Sequence, residues 1–127
     1  MPRSALIHVL VVDDDARVRR ALRDLIDASG GMQVVATAGD STEALEADQC
    51  TGPAVALVDV LLPDRGDGID VIRALTLRGR PVVATSVSAS VRDEALDAGA
   101  SHFVEKAPEA QRLLMALRHC AEQHLDE

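Results

Sequence analysis

Short apolar runs alternate along the chain with longer stretches whose apolar residues recur every three or four positions. "LIHVLVV" (Leu6–Val12) is nearly continuous and rich in β-branched residues, which predicts a strand covered on both faces. Val18, Ala21, Leu22, Leu25 and Ile26 then fall at helical spacing, and "SGG" (Ser29–Gly31) stops the helix they predict. "MQVVATA" (Met32–Ala38) reads as a second strand, and Asp40 with Glu43 three residues on reads as the start of a second helix. "AVALVDV" (Ala54–Val60) is the third strand. A Pro- and Gly-bearing loop follows, then a helix with Ile69, Ile72 and Leu75 inward that ends near Gly79. Pro81 opens "VVATS" (Val82–Ser86), a short helix follows over about Ser90 to Ala98, and "SHFVE" (Ser101–Glu105) is the fifth strand. Pro108 suits a first helical turn, and Leu113, Leu114, Leu117 and Ala121 give the last helix an inner face.

Five strand–helix units with short connections predict an α/β fold, a doubly wound five-stranded parallel sheet with helices on both faces. At 127 residues the chain fits a single domain, 1–127. Phe103 is its one aromatic residue, so the core must be aliphatic. A net charge of −8 and this lack of stacking surface argue against nucleic acid as a partner of the domain itself. Arg17, Arg19, Arg20 and Arg23 read as a solvated helix face. Cys50 and Cys120 have no metal-like spacing and read as small core or half-buried residues of a reducing compartment; the four histidines likewise form no zinc pattern. With no signal peptide and no apolar run of membrane length, the expectation is a cytoplasmic protein with no membrane partner.

In doubly wound sheets, chemistry gathers at the carboxyl ends of the strands. Here those ends carry Asp13, Asp14 and Asp15; Gly39 and Asp40; Asp59; Thr85 and Ser86; and Glu105 and Lys106. If the first, third, fourth and fifth strands are neighbours, one pocket holds several carboxylates, a hydroxyl and an ammonium. Clustered carboxylates repel, and a hard divalent cation with oxygen ligands, Mg²⁺ above all, relieves that repulsion. One carboxylate could then attack a phosphoryl group, with the cation and the lysine neutralising its oxygens. Asp59 inside "LVDVLLP" is the telling residue, because a charge at the end of an apolar strand needs a reason.

The motifs "VLVVDDDARVRRAL", "ALVDVLLP" with a following "GDG", "PVVATSVS" and "AGASHFVEK" resemble, end to end and in order, a bacterial response-regulator receiver domain. The resemblance implies the flavodoxin-like strand order 2-1-3-4-5 and a two-component phosphoacceptor switch. Asp59 would be phosphorylated by a histidine kinase or phosphotransfer protein. Asp14 and Asp59 would ligate Mg²⁺ (or Mn²⁺) directly, Asp13 through water, and Leu61 through its backbone carbonyl. Lys106 would bind the phosphoryl oxygens, Ser86 would be the switch hydroxyl with Thr85 its neighbouring rival, and Phe103 the rotating aromatic. Output would pass through the fourth helix, fifth strand and fifth helix, a face that could also pair two copies. On this reading the chain is no enzyme beyond its own phosphoryl transfer and dephosphorylation. "SVS" resembles the nitrate-responding type of DNA-binding regulator, which implies transcription regulation through a DNA-binding domain beyond Glu127; a free-standing receiver is the other expectation.

The chain also departs from the family pattern. Pro63 and Gly68 lie five residues apart, one more than the family's Pro-x-x-x-Gly, which adds a residue near Arg65. Ser86 and Lys106 lie twenty apart, which predicts a shortened fourth helix region. Val87 stands where the family has a small residue, and Ala107 interrupts its Lys–Pro step. These changes keep open a degenerate receiver, a phosphorylation-independent interaction module. A Mg²⁺-dependent phosphatase with an aspartate nucleophile is a further alternative, set against by Val60 and Leu61, which leave no acid two residues beyond Asp59.

Overall fold

The computed structural model describes residues 6–62, 67–106 and 110–125. The apolar runs become five strands, β1 (Ile7–Val12), β2 (Met32–Ala38), β3 (Val55–Asp59), β4 (Val82–Ser86) and β5 (His102–Glu105). The periodic stretches become α1 (Ala16–Ala28), α2 (Ser41–Thr51), α3 (Asp67–Leu77), α4 (Arg92–Asp97) and α5 (Ala110–Leu125). All strand pairs are parallel and the order is β2-β1-β3-β4-β5. The chain therefore runs outward from β1 to β2 and returns past it to β3. The crevice at that reversal, between the ends of β1 and β3, is where such sheets place ligands.

Alternation along the strands splits the core into two layers. Val9, Val11, Leu57 and Val83 pack with Ile26 of α1 and Leu117 of α5 on one face. Leu10, Val12, Val58 and Ala84 pack with Ala44, Ile72, Leu75 and Ala95 of α2, α3 and α4 on the other. The central strands β3 and β4 are buried at every residue, the apolar Val55–Val58 and Val82–Ala84 and the polar Asp59, Thr85 and Ser86 at their ends alike.

Local chemistry fixes the helix starts beside the site. Asp15 caps α1 by accepting from the Arg17 N–H at 2.9 Å, and Asp40 caps α2 by accepting from the Glu43 N–H at 2.9 Å. Glu43 completes the second cap by accepting from the Gly39 N–H at 2.8 Å. Gly68, in the first turn of α3, presses on the end of β3 so closely that a Cβ there would run into the Val60 carbonyl.

Some sequence expectations shift. α4 is six residues long and begins at Arg92, because Ala89–Val91 form a 3₁₀ turn under a Ser88 cap. This is the shortening that the Ser86-to-Lys106 spacing implied. Cys50 is exposed on α2, not half-buried, whereas Cys120 is buried. The lengthened loop at Arg65, the Ala107–Pro108 step and the side chain of His124 lie outside the described residues.

Candidate functional site

Asp13 leaves β1 with its N–H donating to the Ala38 carbonyl at 3.0 Å, so β2 still guides the chain one residue past the strand. Its carboxylate is 1% exposed, and Oδ1 accepts from the Asp15 N–H at 3.0 Å. Asp59 closes β3 at 5% exposure, and its Oδ1 accepts from the Leu61 N–H at 3.0 Å. Lys106, just past β5, donates to Asp13 Oδ2 at 2.7 Å and to Asp59 Oδ2 at 3.1 Å. One ammonium therefore bridges two nearly buried carboxylates from different strands.

Burial pushes the Asp59 carboxyl above its ordinary pKa and the Asp13 charge adds to the rise, against the Leu61 N–H and the Lys106 ammonium. For Lys106, burial acts to lower the pKa. Its hydrogen bonds to Asp13 and Asp59, and their charges, outweigh that and hold the ammonium above its usual value. Asp14 is exposed at the mouth, with no hydrogen bond or ion pair among the described residues. Asp13, Asp14 and Asp59 each offer a carboxylate oxygen, and the three lie within 4.8 Å of one another. That oxygen-only donor set, open to water on the Asp14 side, fits a hard divalent cation. Asp15 stands outside it as the α1 cap.

The two hydroxyls at the end of β4 differ in what they are free to do. Thr85 faces Asp59 in register, but its Oγ1 donates to the Val104 carbonyl at 2.7 Å. Ser86 is fully buried, its carbonyl accepts from the Lys106 N–H at 2.8 Å, and among the described residues its Oγ only accepts, from the Ser88 N–H at 3.2 Å. Phe103 is half-buried. It packs on the α3–α4 layer and lines, with Ala89, Arg92 and Lys106, a surface groove of about 430 Å³. Leu61, expected to lend its carbonyl, is exposed just beyond β3.

Three features escaped sequence reasoning. Arg19 leaves the solvated arginine face, and its Nη1 donates to the Asp13 carbonyl at 2.6 Å. Asp48, 2% exposed on α2, is clamped by Arg78 at 2.9 Å and Arg80 at 2.6 Å. His102 and His119 form a tilted ring pair 5.3 Å apart. The last two join residues far apart in the chain, with no local pattern to announce them.

A family model described as the response regulator receiver domain matches residues 9–118. Among curated proteins, the chain is 38% identical over 117 residues to the DNA-binding transcriptional activator DevR/DosR of Mycobacterium tuberculosis, covering 89% of this chain and 54% of that protein. It is 36% identical over 126 residues to a protein-glutamate methylesterase/protein-glutamine glutaminase of Hydrogenovibrio crunogenus, covering 95% of this chain and 32% of that one. The chain thus spans about half or less of these relatives' lengths. Among solved structures, the response regulator domain of Thermotoga maritima CheB superposes with a TM-score of 0.84 at 30% identity, covering 93% of this chain and 98% of that one. The receiver domain of the putative response regulator NarL from Mycobacterium tuberculosis gives 0.83 at 29% identity, covering 92% and 97%.

Proposed function

This chain belongs to the response regulator receiver family, and from that premise we propose that it is a phosphoacceptor switch of two-component signalling, phosphorylated on Asp59. The observation that carries the reading is the Lys106 ammonium bridging Asp13 and Asp59, with Asp14 beside them at the open mouth. A structural ion pair needs one carboxylate; this cluster holds three carboxylates against one lysine, an excess that suits a site for a cation and a phosphoryl group.

Asp13, Asp14 and Asp59 would hold Mg²⁺ or Mn²⁺, with the Leu61 carbonyl as a further ligand. When bound, such a cation supplies charge neutralisation for the carboxylates and for the incoming phosphoryl oxygens. The Leu61 N–H and Lys106 fix both Asp59 oxygens, so the carboxylate is oriented before a donor arrives. An Asp59 oxygen attacks the phosphorus of a phosphohistidine; the new P–O bond forms as the P–N bond breaks, and the imidazole leaves with that electron pair. Lys106 exchanges a carboxylate contact for the phosphoryl oxygens.

Ser86 is the hydroxyl suited to follow, because among the described residues its hydrogen has no acceptor while that of Thr85 does. Its movement would open room on the α4–β5–α5 face, where Phe103 sits half-buried, and shift Phe103 inward. The partners on this reading are a cytoplasmic histidine kinase or phosphotransfer protein, and an output element read through that face. Relatives that carry DNA-binding or methylesterase activity suggest the kinds of output a longer protein would hold.

The test is incorporation of phosphate from a small acyl-phosphate donor with Mg²⁺, followed by intact mass and lability to hydroxylamine. The wild-type chain should take up one phosphoryl group and Asp59→Asn none. Normal uptake by Asp59→Asn would remove the assignment, and no uptake by the wild type would favour the interaction-module alternative.

A further inference from the structure

Arg17, Arg20 and Arg23 are exposed on α1, whereas Arg19 turns back under the acid loop. Its Nη1 donates to the Asp13 main-chain carbonyl at 2.6 Å. The guanidinium lies against Gly39, where a Cβ would come within 3.0 Å of Nη1 and 3.6 Å of Cζ. Gly39 is not among the glycines with positive φ, so space for the guanidinium, not backbone freedom, is what its missing side chain provides.

The consequence falls on Asp14. Both main-chain groups of Asp13 are held, its N–H by the Ala38 carbonyl and its C=O by Arg19. Both its carboxylate oxygens are held as well, by the Asp15 N–H and by Lys106. The Asp14 carboxylate has no such tether among the described residues, so its direction depends on the Asp13–Asp14 peptide plane that Arg19 pins. We infer that Arg19, seated on Gly39, is a positioning residue that aims the Asp14 carboxylate at the cation held with Asp13 and Asp59. The inference rests on the Mg²⁺-dependent reading above.

Electrostatics gives this inference a sign that a generic charge effect does not share. Arg19 is a positive charge beside a cation site, so by Coulomb repulsion alone its loss should tighten Mg²⁺ binding. Loss of a positioning contact should weaken it, by about tenfold, as for other groups that orient metal ligands. Gly39→Ala offers an independent route, since its Cβ would crowd the guanidinium at 3.0 Å and make it give by a few tenths of an ångström while keeping its charge.

The experiment titrates Mg²⁺ alone into the wild type, Arg19→Ala, Arg19→Lys, Gly39→Ala and Arg20→Ala, following amide resonances at Asp14 and Lys106. Melting temperature is read in parallel with and without the cation. Arg19→Ala should raise the Mg²⁺ Kd about tenfold, Gly39→Ala should raise it by a smaller factor, Arg19→Lys should recover part of the loss, and Arg20→Ala should leave the Kd unchanged or lower. Saturating Mg²⁺ should restore phosphate uptake by Arg19→Ala, because Asp59 itself is untouched. An unchanged or lower Kd in Arg19→Ala overturns the inference, and so does an equal loss in Arg20→Ala. If Arg19→Ala fails to fold, Gly39→Ala carries the same test. Absence of any Mg²⁺ response in the wild type would instead sink the parent reading, and this one with it.

Discussion

Lys106→Met isolates the ammonium while keeping most of the side chain's bulk. That ammonium lies 2.7 Å from Asp13 Oδ2 and 3.1 Å from Asp59 Oδ2, on a side chain 26% exposed. At an effective dielectric of about 20 these contacts correspond to gross attractions of about 6 and about 5 kcal/mol. Carboxylate oxygens within 4.8 Å of one another repel by at least about 3.5 kcal/mol per pair on the same scale. Most of the gross difference is offset because the variant no longer desolvates an ammonium on folding and because Asp59 can take up a proton. The net loss should be about 2–3 kcal/mol, at or just below what breaking a buried pair costs. With about 2.1 cal/mol/K of unfolding entropy per residue over 127 residues, the melting temperature should fall by about 7–11 °C. The assay is thermal unfolding by circular dichroism in EDTA across a pH series.

The pH dependence supplies a second signature. Removing the lysine raises the folded-state pKa of Asp59 further above its unfolded value of 3.8. The folded chain then binds more protons than the unfolded chain between those values, so the destabilisation is full above the folded pKa and shrinks as pH falls through it. Saturating Mg²⁺ should also raise the melting temperature more in Lys106→Met than in the wild type, since it would then take over the missing charge. Equal melts in EDTA, or a deficit that ignores pH, would refute the claim that this lysine balances the acid pocket.

Four further outcomes follow from the structure. Thr85→Val should lower stability by about 1 kcal/mol in urea unfolding and leave phosphate uptake intact. Ser86→Ala should do the reverse, sparing stability while abolishing the Phe103 amide shift on fluoroberyllate binding. Asp48→Ala leaves Arg78 and Arg80 with only the Leu45 and Pro53 carbonyls among the described residues and should cost about 2–3 kcal/mol by the same unfolding measurement. Burial and the His119 charge lower the His102 pKa from 6.5, so the unfolded chain binds more protons below that value. Stability should therefore decline as pH drops through 6.5 toward the folded pKa, and His102→Leu should flatten that decline in a pH series of melts.

The fold was legible because its strands are buried on both faces and its helices on one, and both conditions write themselves into local periodicity. The match is closest where the end of an element is itself chemical. Asp40 and Glu43 predicted the α2 cap they form, and Val82–Ser86 is β4 as read. Boundaries slipped where the signal is tertiary. Val60 reads as strand but lies beyond β3, although its N–H still donates to the Thr85 carbonyl at 2.9 Å. The acids and the lysine could be named from strand ends, since doubly wound sheets gather those ends together. Thr85 and Ser86 are adjacent letters, and the difference between them is tertiary: the β5 backbone captures the Thr85 hydroxyl. Arg19 was hidden for a related reason. Its partner is a carbonyl, and a carbonyl has no letter in the sequence.

The contact between Lys106 and Asp13 joins residues 93 positions apart. Both belong to the carboxyl edge of one sheet, yet the lysine is delivered by its last strand. A chain still acquiring its structure can pair β1, β2 and β3 from nearer segments, but it does so with Asp13 and Asp59 facing each other uncompensated. Closing so long a span of chain costs more entropy than closing the nearer pairings. Docking of β5 is thus the step that discharges the pocket, and folding in Mg²⁺ should let the cation stand in before that strand arrives.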